Sequence, residues 1–196
     1  MLEPVPEDVL QDLHRRHAEP QRHYHDWSHI EALLGHLDGI ASQLHDPQAV
    51  QYAILFHDAV YDPRAKDNER RSAELLITAA PPLPRRSLAN ACRMIEATEG
   101  HFLPDDLEDE ARDDCAHFLD MDLGILGASP QRFAIYEDQI RREYAHVPDD
   151  AFREGRGQVL RHFAERETLY FSEWGKDRFE EQARSNLARS LAALEG

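Results

Sequence analysis

The chain has 196 residues, two cysteines, twelve histidines and a formal net charge of −16. That length buries a hydrophobic core without disulfide staples, and so acidic a field opposes the phosphate backbone of a nucleic-acid polymer. No apolar run approaches the roughly 20 residues of a membrane helix, and the N-terminal MLEPVPEDVLQDL lacks the basic-then-apolar order of a secretory leader, so a cytoplasmic protein is expected.

Apolar residues recur with the helical period along the whole chain. A first helix is expected near Glu7–His17. A second runs from Ser28 to about Leu44 on the stripe Ile30, Leu33, Leu34, Leu37, Ile40, Ala41 and Leu44, with Ser28 as N-cap and Glu31 three residues on. A third spans about Pro47 to Val60, with Val50, Ala53, Ile54 and His57 on one face. A fourth spans about Asn68 to Ala80 and stops at the Pro81-Pro82-x-Pro84 segment, which cannot continue a helix. A fifth covers about Arg85 to Glu99, ended by Gly100, and a sixth about Pro104 to Leu123, broken by Gly124 to Gly127. Three more follow, near Pro130–Ala145, Asp149–Arg166 and Arg178–Leu194. No period-two alternation is long enough for a strand, no repeat stands out, and the breaks are of loop length. The expected architecture is all-α, one helical bundle over residues 1–196.

Cys92 and Cys115 lie on apolar stripes without a C-x-x-C pair, so both are expected as reduced core thiols. Tyr136, Tyr144 and Tyr170 occupy helix-stripe positions and are expected in the core. His14, His17, His36, His45, His117, His146 and His162 are expected at the surface or as caps. Arg22, Arg141 and Arg184 can each serve a phosphate or a structural ion pair, and the sequence leaves both open.

The residues that carry chemistry begin with the adjacent pair His57-Asp58, near a helix end with His57 on the apolar stripe. A buried carboxylate is costly unless a partner or metal compensates it. Neighbours on a helix point about 100° apart, so both reach one ion only at their shared edge. Imidazole nitrogen with carboxylate oxygen suits Mn, Fe, Ni, Zn or Mg. His29 opens its helix and stands four residues after His25, while Asp120 and Asp122 close the sixth helix, Asp122 on its apolar side.

In this order, His29, then His57-Asp58, then Asp122, the sequence resembles the H…HD…D signature of the HD superfamily of metal-dependent phosphohydrolases, in particular its small bacterial subfamily of HD-type hydrolases. Further segments carry the likeness: Arg22-His23-Tyr24-His25, Phe56-His57-Asp58-Ala59-Val60-Tyr61-Asp62, Asn68-Glu69-Arg70-Arg71-Ser72-Ala73, Thr98-Glu99-Gly100-His101, Leu119 to Gly127, and Ala183-Arg184-Ser185-Asn186-Leu187. The resemblance implies a helical HD-type core with N- and C-terminal helical extensions, in which His29, His57, Asp58 and Asp122 hold one divalent cation. A metal-activated water would then attack a small phosphorylated substrate such as a nucleotide. Asp58 and Asp62 are the expected catalytic carboxylates, Asp62 as base or water-positioner one helical turn beyond Asp58. His25, Arg22, Glu69 and His101 are expected around the substrate.

The alarmone hydrolases of that superfamily carry His-Asp-x-x-Glu-Asp. Here Asp62 matches the final Asp but Tyr61 stands in place of the Glu, so the resemblance does not by itself carry over their substrate and mechanism. Glu69 and His101 occupy the order of second-metal ligands, so a second ion is an open alternative to a single one. Two other readings stand beside hydrolysis: an HD-fold di-iron oxygenase, and a non-catalytic sensor that binds a metal and a phosphorylated ligand. Substrate and oligomeric state are not encoded in any motif.

Overall fold

A computed structural model of the protein describes Leu2, residues 4–79 and residues 81–195, the last by its backbone alone. Among the described residues there are nine α-helices, two 3-10 stretches and no strand: α1 Glu7–His17, α2 Trp27–Ile40, α3 Pro47–Phe56, α4 Asn68–Ala79, α5 Arg85–Ala97, α6 Asp109–Asp122, α7 Pro130–Glu143, α8 Asp149–Ala164 and α9 Glu173–Glu195. The expectation of an all-α chain holds. The expected end of the fourth helix at Ala80 lies outside the described residues. No helix of the described residues is long and apolar enough to cross a membrane.

The chain forms two compact bodies that part after Met121. In the first, α3 is the central element and packs on α2, α4 and α5, and α4 packs on α5. Val50, Tyr52, Ala53, Ile54, Leu55 and Phe56 are all buried, so α3 is apolar around most of its circumference, the pattern of a helix enclosed by others. Its start is fixed twice. The Asp46 carboxylate accepts from Ala49 N at 3.0 Å with Pro47 at the first helical position. The buried Asp114 carboxylate, from α6, accepts from His45 N at 2.9 Å and Asp46 N at 2.7 Å. Burial pushes the Asp114 carboxyl up, and those two backbone donors oppose the shift.

Several boundaries differ from expectation. The second helix starts at Trp27, capped by Asp26 and not by Ser28. Asp26 Oδ1 accepts both Ser28 N at 2.9 Å and Ser28 Oγ at 2.6 Å, so Ser28 is a partner of the cap. The sixth helix starts at Asp109, and the Pro104 carbonyl before it accepts from the guanidinium of Arg112, in the helix's first turn, at 2.7 Å. The third helix ends at Phe56, four residues early, and the loop that follows carries the candidate site.

In the second body, α9 packs on α8 and on the 3-10 stretch Leu123–Gly127, which also meets α7. That stretch was expected to be a plain break. It is ordered because buried Asn186 donates to the Leu126 carbonyl at 2.7 Å and the Ala128 carbonyl at 2.8 Å, and the Tyr170 hydroxyl donates to the Leu123 carbonyl at 2.9 Å. Gly127 is required by close approach, since a Cβ there would stand 2.6 Å from Phe179 Cβ and 2.8 Å from the Phe179 backbone. The ninth helix begins at Glu173, five residues before the expected start. Tyr136 and Tyr170 are buried as expected, Tyr170 from the loop before α9 and not from a helix, while Tyr144 is half-buried at the end of α7.

Arg141 and Arg184 take structural roles. Arg141 donates to the carbonyls of Tyr144 and Val147 and to Asp149, tying α7 to the start of α8. Arg184 donates to the carbonyls of Ala164, Arg166 and Glu167, closing the C-terminal end of α8. Both cysteines are free thiols. Cys115 is buried, with its thiol pushed up to about 12 by burial, whereas Cys92 is half-buried and pushed up to about 11 by the same cause.

Candidate metal centre

His29 sits in the first turn of α2 and His57 is the residue that caps α3. Both are buried, and their Nε2 atoms face each other at 3.1 Å. His57 Nδ1 lies 2.9 Å from the Ile54 carbonyl oxygen, which can only accept. A proton therefore sits on Nδ1; in the neutral ring Nε2 presents its lone pair toward His29, and only in the protonated ring does it donate to Asp58. Tyr24 packs on the His29 ring at a centroid distance of 4.9 Å, and Phe118 meets the His57 ring edge-on at 5.8 Å. Each imidazole thus has an aromatic neighbour.

Asp58 joins the two rings. Its Oδ2 is 3.1 Å from His57 Nε2 and 3.7 Å from His29 Nε2. Burial alone would raise the Asp58 carboxyl, but the fields of His57, His25 and His29 and the His57 hydrogen bond outweigh it and hold the group well below the usual carboxylate range. Asp122 is the closing residue of α6, all of whose other residues belong to the first body. One atom each from His29, His57 and Asp122 lie within 4.8 Å of one another, a group that could hold a metal ion. Donors about 2.1 Å from one cation stand roughly 3.0–3.4 Å apart when adjacent in octahedral or tetrahedral coordination. The 3.1 Å between the two histidine Nε2 atoms matches that range; Asp58 Oδ2 meets it toward His57 at 3.1 Å but stands at 3.7 Å from His29 and is outside the group of His29, His57 and Asp122 that could hold an ion.

The loop after α3 is held by partners distant in sequence. Arg22 is buried, and its guanidinium donates to the carbonyls of His25 at 3.1 Å, Asp58 at 2.6 Å and Ala59 at 3.3 Å, and to the Glu19 carboxylate at 3.3 Å. Arg22 was expected beside a substrate phosphate; here its guanidinium binds three backbone carbonyls and the Glu19 carboxylate. Ser72, buried on α4, accepts from Val60 N at 3.0 Å. One turn earlier, Asn68 accepts from Asp62 N at 3.1 Å and donates to the Asp62 carbonyl at 2.9 Å. The segment Asn68 to Ala73 is thus the floor of this loop. Asn68 and Ser72, four apart on one helical face, were the available sign of that role.

Asp62 lies exposed, and its Oδ1 accepts from Arg64 N at 2.9 Å, forming a tight turn. Because α3 ends at Phe56, Asp62 is not one helical turn from Asp58 as the sequence suggested. His25 is half-buried beside the cluster, its ring 6.1 Å from that of His29. Glu69 is half-buried in the first turn of α4. Burial chiefly raises its carboxyl, the charges of Asp58 and Glu99 add to the rise, and His101 opposes it. His101 has a positive φ of 50°, an uncommon backbone state for a residue with a side chain. Neither Glu69 nor His101 belongs to the His29, His57 and Asp122 group.

Comparison with protein-family models, with curated proteins and with solved structures finds no match for this chain.

Proposed function

We propose that the protein is a divalent-metal-dependent phosphohydrolase of the HD type, a cytoplasmic enzyme that acts on a small phosphorylated molecule such as a nucleotide. The observation that carries this reading is the grouping of His29, His57 and Asp122 as donors that could hold an ion, with Asp58 Oδ2 3.1 Å from His57 Nε2 and 3.7 Å from His29 Nε2. A bound divalent cation would supply Lewis acidity, lowering the pKa of a coordinated water and offsetting phosphoryl charge.

The chain's own residues do the rest. The Ile54 carbonyl keeps the His57 lone pair directed inward, and the histidine field keeps Asp58 ionised. Arg22 and Ser72 hold the loop so that Asp58 cannot swing away. His25, Glu69 and His101 are the groups we assign to the substrate's side of the centre. Asp62 is assigned to shaping the loop.

The test is a screen of the purified full chain with Mn, Mg, Co and Ni against nucleotides and generic phosphate esters, alongside metal analysis. Turnover of a phosphate ester that is lost with chelator and in His57→Ala supports the reading. Tight metal binding without turnover for any ion would replace it with the sensor. Bound iron with oxygen consumption would replace it with the oxygenase.

A further inference from the structure

Next to the cluster lies a stack that no metal requires. The rings of His25 and Tyr61 are nearly parallel, 29° between planes, with centroids 4.4 Å apart. The Arg22 guanidinium carbon lies 5.4 Å from the centre of the Tyr61 ring. One nitrogen of that guanidinium binds the carbonyls of both His25 and Asp58. Arg22 therefore holds the His25 backbone while Tyr61 stacks on one side of its ring, with Tyr24 meeting the ring edge at 5.0 Å, and Arg22 also holds the ligand loop. A stack of this kind supplies orientation as well as contact area, and the cation beside the Tyr61 face adds to it. Both rings are half-buried, which leaves part of each open to a small ligand.

We propose that Tyr61 is a positioning residue: stacked on His25 and packed on Arg22, it clamps the His25 imidazole at the edge of the His29–His57–Asp58 cluster, where His25 meets a phosphoryl oxygen of the bound ligand. The clamp stands on the geometry alone. The phosphoryl contact rests on the hydrolase reading given above. The electrostatic coupling between His25 and Asp58 accords with the placement of the ring at that edge.

The experiment uses the full chain in four forms: wild type, Tyr61→Phe, Tyr61→Leu and His25→Ala, plus the Leu/Ala double variant. Inorganic phosphate affinity is measured by calorimetry on Mn-loaded protein, Mn affinity is measured separately, and His25 ring order is followed by NMR of metal-free protein labelled at histidine. Tyr61→Leu is expected to weaken phosphate binding about tenfold, to leave Mn affinity within about twofold and to loosen the His25 ring. Tyr61→Phe keeps the stack and is expected to behave as wild type. The double variant is expected to bind phosphate no worse than His25→Ala, since Tyr61 acts only through His25.

Additive losses in the double variant, or a His25 ring as ordered in Tyr61→Leu as in wild type, overturn the clamp. A wild type that binds Mn but no phosphate overturns the phosphoryl contact and the hydrolase reading, while the NMR arm still decides the clamp. A Tyr61→Leu protein that loses Mn as well assigns the ring to the ligand loop and overturns the proposal.

Discussion

Helix α1 ends on buried His17 and α3 is capped by buried His57, and the two rings are held alike. His17 Nδ1 stands 2.9 Å from the Leu13 carbonyl, and His57 Nδ1 stands 2.9 Å from the Ile54 carbonyl. Each residue is only 2% exposed. The same tautomer is imposed on both, with the Nε2 lone pair facing away from the helix. At His57 that nitrogen finds His29 and Asp58 at 3.1 Å. At His17 it finds no partner, and the ring lies edge-on to Trp27 at 5.6 Å, with Trp27 against His14 on another side. Burial and a fixed tautomer are therefore common to a structural and a ligand-type histidine. Convergence of further donors separates them.

The contrast yields its largest effect in metal affinity. His57→Ala should lower Mn or Zn affinity about a hundredfold or more, beyond what loss of a supporting residue costs, while His17→Ala should leave it within about twofold. Calorimetric titration of the two variants is the measurement. Equal losses would erase the distinction.

The next effect is on stability, and it belongs to His17. Burial, with the nearby Arg22 charge, lowers its pKa from 6.5 to about 4, against the opposing Leu13 bond. The unfolded chain thus takes up a proton first as pH falls, so the folded state loses stability between about 6.5 and 4 and is unaffected by this group above that window. The full loss amounts to about 3 kcal/mol. Urea unfolding at pH 7 and 4.5 should show a smaller drop for His17→Leu than for wild type, and parallel curves would contradict the assignment.

Arg22 links the two sites, since it lowers the His17 pKa and holds the Asp58 carbonyl. Arg22→Met should weaken metal binding about tenfold, the size expected for a residue that orients ligands without touching the ion. It should also raise the His17 pKa, which stays below 6.5 because burial, the larger cause, remains. NMR titration of His17 and calorimetry read the two effects on one protein.

The same contrast explains what could be read from the sequence. Helix bodies were legible because their apolar stripes are local: α1, α4, α7 and α8 lie within a residue or two of expectation. The end of α3 was not, because the carbonyls of Asp58 and Ala59 and the amide of Val60 are captured by Arg22 and Ser72, which are remote in the chain. The order of His29, His57, Asp58 and Asp122 singled out the residues that converge. It carried no information about the Arg22 bonds or the His25–Tyr61 stack, which exist only once the loops meet. His17 was expected at the surface or as a cap; it ends α1 but is buried, and it continues the spacing of Leu10 and Leu13 at i, i+3 and i+7, a buried-face sign that was there to be used.

The smallest effect comes from Asp26, which serves both regions. It caps α2, whose first residue, Trp27, packs on His17 and whose third, His29, faces His57. Asp26→Ala removes the bond to Ser28 N and should cost about 1 kcal/mol of stability. Asn can make the same bond without the charge, so Asp26→Asn should cost only a few tenths of a kcal/mol, the part due to the helix dipole. Metal affinity should fall by no more than about threefold in either variant, because Tyr24 still packs on the His29 ring. A large metal defect with little loss of stability would move Asp26 from the cap of a helix to the centre itself.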